Sequence, residues 1–266
     1  MLKRIVRCCC ALLFVSFTAT AVAATAVAEE PIVIKVLCYN IHHGEGTDGV
    51  VDIQRVADVI IGCEPDVVAL QEVDQKVNRS KRTPQVEQLA ERTGLTGRFV
   101  KQLDYDGGEY GQAILSKFPI LSLETYTLPG QPERETRIVG VALLDVAGRQ
   151  VQFATTHLHH NRADFRLAQA KRLNEILGVH NVPAILAGDL NATPESEPIS
   201  VFRESWEVVE ANRGKPLLSY PAAEPTKQID YVLVRPRMAW NLRECRVLDE
   251  PVVSDHRPVL FVWELR

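Results

Sequence analysis

Short apolar runs recur along this chain, and a polar side chain able to hold an ion closes or opens nearly every one of them. "VLCY" is followed by Asn40 and "VVALQ" by Glu72, while Glu109 stands just before "YGQAIL". His157 closes "VQFATT", Asp189 and Asn191 follow "AILAG", Asp230 opens "YVLV", and Asp255 with His256 precedes "PVLFVWEL". Strand ends in α/β sheets are where loops converge on a rigid frame, so the repeated polar closure places a site at those ends.

Singly, an Asp or Asn at a strand end is a turn residue. Repetition of one chemistry is the signal. Carboxylate and amide oxygens, without cysteine and with two imidazoles, suit a hard divalent cation, Mg²⁺ or Mn²⁺, rather than zinc. His42, His43, His159, His160 and His180 read as loop residues.

Periodicity sorts the segments between. "IVIKVLCYN" (32–40) and "DVVALQEV" (66–73) are strands, and "DIQRVADVIIGC" (52–63) has helical spacing at Ile53, Val56, Ala57 and Ile60. "TPQVEQLAERTG" (83–94) predicts a helix capped by Thr83, with Pro84 in its first turn and Gly94 at its end. The centre holds successive strands, two of them joined through Ala147-Gly148 as a hairpin. "ADFRLAQAKRLNEIL" (163–177) is an amphipathic helix, "VPAILAGDLN" (182–191) a buried strand, and "QIDYVLVRP" and "PVLFVWEL" are the last two clear strands. Helices flanking strands in both halves, with hairpins between, predict an α/β fold of mixed sheets packed face to face with helices outside.

The first 28 residues differ. Lys3, Arg4 and Arg7 precede an uncharged apolar run that ends Ala26-Val27-Ala28 before Glu29, the pattern of a cleaved signal peptide. The run is weakly apolar for a membrane anchor, the rival reading. Export to a secreted or periplasmic location is the expectation, with residues 29–266 forming one domain because no linker divides them. Cleavage removes only those three charged residues, taking the net charge from −4 to −7. That balance excludes a protein held on nucleic acid by a broad basic surface, though not an enzyme that meets a phosphodiester through a metal ion. Cys38, Cys63 and Cys245 remain, an odd count that is no disulfide framework; Cys38 and Cys63 lie in apolar segments as small hydrophobes.

The set "YN", "QEVD", "GEYGQAILS", "TTHL", "GDLNATPES", "IDYVLV" and "SDHRPV", in this order, resembles the endonuclease/exonuclease/phosphatase superfamily over residues 32–265. "GDLN" and "SDHRP" are its most specific parts. The resemblance implies a four-layer α/β sandwich and a Mg²⁺- or Mn²⁺-dependent phosphoesterase. It implies Glu72 as principal metal ligand, with Asn40 and Asp255 close to the same ion. Asp189 and Asn191 position or deprotonate the attacking water and hold the phosphate. His256, oriented by Asp230, bonds the phosphate or transfers a proton, and His157 contacts the phosphate from the other side. Glu109 matches the position that orients His157 in pancreatic deoxyribonuclease. Either Arg134 or Arg137 contacts phosphate, and Gln112 stands where many relatives carry Asn.

The expected substrate is a phosphate ester: nucleic acid, a phospholipid head group or a small molecule. Sphingomyelinase-like or phosphoinositide-type lipid hydrolysis is the alternative, and a non-catalytic binding module on the same fold a further one. No stable protein partner is implied, and a monomer is expected. Asp189 and His256 are expected to be exposed to a cleft, outside the apolar core.

Overall fold

Alternation assigns each strand two working faces. In β1 (Ile32–Asn40), Ile34, Val36 and Cys38 join one apolar cluster while Leu37 and Tyr39 join another, so both sides are buried. A strand buried on both faces must sit between layers. The computed structural model describes residues 31–131 and 135–266, and the expected signal peptide lies outside the described residues.

The elements follow in order. After β1 come α1 (Ile53–Cys63), β2 (Val67–Gln75), α2 (Gln85–Thr93), β3 (Thr96–Tyr105), β4 (Gly108–Ser116) and β5 (Ile120–Thr127). Then come β6 (Ile138–Val146), β7 (Arg149–His157), α3 (Ala163–Gly178), β8 (Ala184–Asp189) and α4 (Glu197–Arg203). The two-residue pair β9 (Ala211–Asn212) and β10 (Lys215–Pro216) precedes β11 (Asp230–Arg235), β12 (Trp240–Val247) and β13 (Val259–Leu265).

Two mixed sheets carry the fold, in the orders β12-β13-β1-β2-β4-β3 and β11-β8-β7-β6-β5. One cluster draws Val36, Cys38 and Ala69 from the first sheet and Phe153, Ala187 and Val232 from the second, so the two inner faces pack together. A second covers the outer face of the six-stranded sheet with Val56 and Ile60 of α1 and Leu89 of α2. A third covers the other outer face with Leu173 and Leu177 of α3 and Phe202 of α4. The result is a four-layer α/β sandwich. Each buried aliphatic side chain contributes about 1.5–3 kcal/mol, which makes three such interfaces the dominant stabilising term.

Local chemistry explains the boundaries. Asp52 caps α1 by accepting from the Gln54 amide at 2.8 Å, and α2 ends at Gly94 in a left-handed conformation. The cap expected from Thr83 is not formed: Pro84 holds the N-cap position without a side-chain bond, and the Thr83 backbone is engaged with Lys76 and Ser80. Ala147 and Gly148, both with positive φ, turn β6 into β7, so Val146 pairs with Arg149. The strands β3 and β12 and the helix α4 went unread in the sequence because their apolar patterns are broken or short; β3 is largely exposed.

Candidate active site

Polar side chains replace apolar ones at the last inward position of several strands. On β7 the inward series Val151, Phe153, Thr155 ends in His157; on β8 Ile185 and Ala187 lead to Asp189; on β11 Val232 and Val234 are preceded by Asp230. Register then aligns them. His157 pairs with Asp189 across parallel β7 and β8, and Asp189 pairs with Asp230 across antiparallel β8 and β11. Three site residues thus form one row. Gly188 lets it close up, since a Cβ there would stand 2.1 Å from the Thr156 carbonyl oxygen.

The facing sheet supplies Asn40 at the end of β1. Its Nδ2 donates to Asp189 Oδ2 at 3.2 Å and to Glu72 Oε1 at 3.0 Å, tying the two sheets together. Ser254 Oγ donates to the Asn40 carbonyl at 2.7 Å and anchors the segment that carries Asp255 and His256.

Glu72 reaches the site through an irregularity. By alternation it follows Val68 and Leu70, whose side chains face the helices. But Leu70 pairs with Ala113 and Val73 with Gly111, so Gln71 and Glu72 lie opposite the single residue Gln112. This β-bulge, with Glu72 at φ +57°, brings its carboxylate into the same cavity as Asp255 and Asp189. Asn191, at φ +47°, is a second strained residue there; its amide N–H donates to Asp189 Oδ1 at 2.8 Å.

His256 lies between two carboxylates. Its Nδ1 donates to Asp230 Oδ2 at 2.9 Å, and its Nε2 stands 3.7 Å from Asp189 Oδ2. Ser219 donates to the same Asp230 oxygen at 2.6 Å, and the Tyr220 ring packs 4.8 Å from the imidazole. Burial disfavours the imidazolium, but Asp230 and Asp189 outweigh it and push the His256 pKa up to about 10. Burial, with the Asp230 charge adding to it, raises Asp189 to about 7 despite the opposing pull of His256. His157, 3.4 Å from Asp189 Oδ2, is driven well below the usual histidine range by burial and by Arg137, and is neutral. Asp189 and His256, expected in the open cleft, are 1% and 5% exposed: they form its floor, because the sheets close over the row they extend.

The cavity above them measures about 660 Å³. Arg137 lies in its wall, 3% exposed, with Nε lacking a hydrogen-bond partner among the described residues and Nη1 3.0 Å from Glu135 Oε1. Arg134 lies outside the described residues. Glu109 is not brought to the cluster. It pairs with Lys101 at 2.7 Å, and its neighbour Tyr110, on the opposite side of β4, lines the cavity instead. Gln112 does not face the cavity either: its Oε1 accepts from Thr155 Oγ1, which accepts from Gln71 Nε2, both at 3.2 Å, in a link between the sheets. His160, read as a loop residue, lines the cavity, as do Arg166, Tyr220 and Lys227. None of the four stands at the end of an apolar strand, so the sequence pattern gave no signal for them.

The carboxylates of Glu72 and Asp255 line one cavity and are oxygen donors of the kind a hard divalent cation takes, while Asn40 turns its Nδ2 to Glu72 and its Oδ1 accepts from the His42 amide at 3.1 Å. Cationic His256 and Arg137 line the same cavity and suit an anion. Together they can hold a phosphate ester against a buried base.

Known proteins share this chain's fold. The chain is similar to the uncharacterized protein YbhP of Escherichia coli (strain K12), at 24% identity over 238 residues that cover 85% of this chain and 94% of YbhP. Its fold matches an endonuclease/exonuclease/phosphatase from Beutenbergia cavernae with a TM-score of 0.71 and 24% identity, covering 88% of this chain and 72% of that one. It also matches a mannosyl-6-phosphatase of Bacteroides thetaiotaomicron with a TM-score of 0.70 and 19% identity, covering 86% and 99%. The model of the Endonuclease/Exonuclease/phosphatase family matches residues 37–256, a span that holds every residue of the cluster from Asn40 to His256, and the chain belongs to that family.

Proposed function

We propose that this protein is a divalent-cation-dependent hydrolase of small, hydrophilic phosphate esters, acting by attack of water on phosphorus. The observation that carries this reading is the row His157–Asp189–Asp230, with His256 bridging its two carboxylates. A base whose pKa is raised toward neutrality beside a cationic donor is what hydrolysis of an anionic ester needs.

Glu72 and Asp255, with Asn40 beside Glu72, would hold the cation, which would offset phosphate charge. Asp189 orients the water and takes its proton. The Asn191 side chain is fixed by its Nδ2 bond to the Leu158 carbonyl at 3.1 Å, which leaves its amide oxygen for the water or the phosphate. His256, kept cationic by Asp230, donates to the phosphoryl oxygens as their charge grows. Arg137 holds a further phosphate oxygen.

The cavity wall supports one substrate class over the others. Arg137, Arg166, Lys227, Glu135 and Thr193 make the wall more polar than apolar, which disfavours an acyl chain, and the exposed large apolar side chains, Val50, Leu121 and Met238 among them, are not in it. The net charge of −4 gives no broad attraction to duplex nucleic acid. A phosphorylated sugar, polyol or mononucleotide fits best, in keeping with the sugar phosphatase among the proteins of similar fold. Assays with Mg²⁺ or Mn²⁺ on sugar phosphates, mononucleotides, bis(p-nitrophenyl) phosphate, plasmid DNA and sphingomyelin vesicles test this. Turnover confined to vesicles or plasmid would overturn the substrate class, and no turnover anywhere would overturn the enzyme reading.

We also propose export, on the strength of the basic start, apolar run and Ala26-Val27-Ala28 of the sequence. Mass spectrometry of the protein from its host should give an N-terminus near Glu29; a chain starting at Met1 and extracted only by detergent would mean an anchor.

A further inference from the structure

Three consecutive residues after β1 take the left-handed conformation: His42 at φ +45°, His43 at φ +46° and Gly44 at φ +80°. Such backbone costs a non-glycine residue about 1–2 kcal/mol, so two in succession are held by their surroundings for a reason. The reason visible here is the placement of two imidazoles. Side chains of successive residues in extended chain point apart, but this turn brings the two rings to 4.5 Å between centroids. One ring nitrogen of each and a carboxylate oxygen of Glu72 all lie within 4.8 Å of one another.

Glu45 fixes the protons of both rings. Its backbone carbonyl lies 3.2 Å from His42 Nδ1, and its carboxylate lies 3.1 Å from His43 Nε2. Both oxygens can only accept, so both of those nitrogens carry hydrogen, and each neutral ring keeps one lone pair on its other nitrogen. For His43 that atom is Nδ1, which is buried and has no hydrogen-bond partner among the described residues. A buried lone pair without a donor is a cost unless a ligand takes it. A histidine whose second nitrogen donates to a carboxylate or a carbonyl is the arrangement found around bound metal ions.

We infer that His42, His43 and Glu72 form a binding site for a divalent transition-metal ion of the Zn²⁺, Co²⁺ or Mn²⁺ type. Two imidazoles and one carboxylate prefer such ions over Mg²⁺, and leave positions open for water. Gln85 supports the turn by donating to the His43 carbonyl at 2.7 Å. The site goes beyond the phosphoesterase reading and shares with it Glu72 alone.

Co²⁺ titration of the full chain, followed by visible absorption and calorimetry, tests the site. The wild type should take up Co²⁺ with a nitrogen-ligand spectrum. Asn tolerates left-handed backbone, so the double variant His42→Asn/His43→Asn keeps the turn. It should lose more than the roughly 10–100-fold in Co²⁺ affinity that removal of an outer partner costs, and Glu45→Gln should lose about that amount. Asp255→Asn should keep the Co²⁺ spectrum while weakening Mg²⁺ binding, which separates this site from the oxygen-donor set. Co²⁺ bound equally by the wild type, the double variant and Glu45→Gln would overturn the inference. So would an oxygen-only spectrum in the wild type. Failure of the phosphoesterase reading shows instead as absent turnover, whatever the spectra.

Discussion

His256 Nδ1 donates to Asp230 Oδ2 at 2.9 Å, so a carboxylate from the middle of the chain's last third fixes an imidazole near its end. Asp230 is itself held by Ser219, and it is the larger of the two charges that keep His256 cationic. If His256 serves as a charged donor and Asp189 as base, activity rises as pH passes about 7 and falls as it passes about 10. Asp230→Asn removes the charge that raises His256, so the alkaline limb of kcat should move to lower pH. An alkaline limb unmoved in that variant would show that His256 does not act in its cationic form.

Asp189→Asn should lower kcat by about 10²–10⁴-fold, the usual contribution of a general base. Its stability should respond to pH in the opposite sense. The folded chain holds the Asp189 proton up to about pH 7, whereas the unfolded carboxyl releases it near 3.8. Stability from that proton is complete below the unfolded value and is lost as pH rises through the folded one. The asparagine variant escapes this loss. Its Tm relative to wild type should therefore be higher at about pH 8 than at about pH 4. Melting curves at the two pH values decide the matter; a Tm difference independent of pH would refute a raised Asp189.

Glu72→Gln keeps the side-chain shape and removes the charge that holds a hard cation. Activity should fall by orders of magnitude and return in part as Mg²⁺ or Mn²⁺ is raised. Full activity of the wild type in excess EDTA would falsify cation dependence.

Thr155→Val should cost stability and spare chemistry. The hydroxyl accepts from Gln71 and donates to Gln112, and its loss leaves two buried amide atoms unpaired between the sheets. An unsatisfied buried group costs about 1–3 kcal/mol, and about 2–4 °C of Tm accompanies each kcal/mol in a domain of this size. The check is thermal unfolding with KM and kcat at saturating Mg²⁺; an unchanged Tm would mean that the link contributes nothing.

Sequence periodicity by itself settled where most of the strands and helices run, and helices flanking strands in both halves pointed to sheets lying between helical layers. The strand 32–40 has the same bounds in the structure, and the inward faces of β7, β8 and β11 carry their apolar alternation up to His157, Asp189 and Asp230. That much is local: a side chain's face follows from its place in a period of two. Register, bulge and loop convergence are not local. Alternation alone turns Glu72 toward the helices, and only the pairing of β2 with β4 extrudes it into the cavity. Glu109 stands in an apt position along the chain, but β4 turns it to Lys101. His160 and Tyr220 lie in loops with no period, and the period of α3 does not reveal where Arg166 reaches; all three come to the cavity because segments distant in sequence end at one edge of two packed sheets. The energies that place them are contacts between those segments, and no stretch of sequence holds both partners of such a contact.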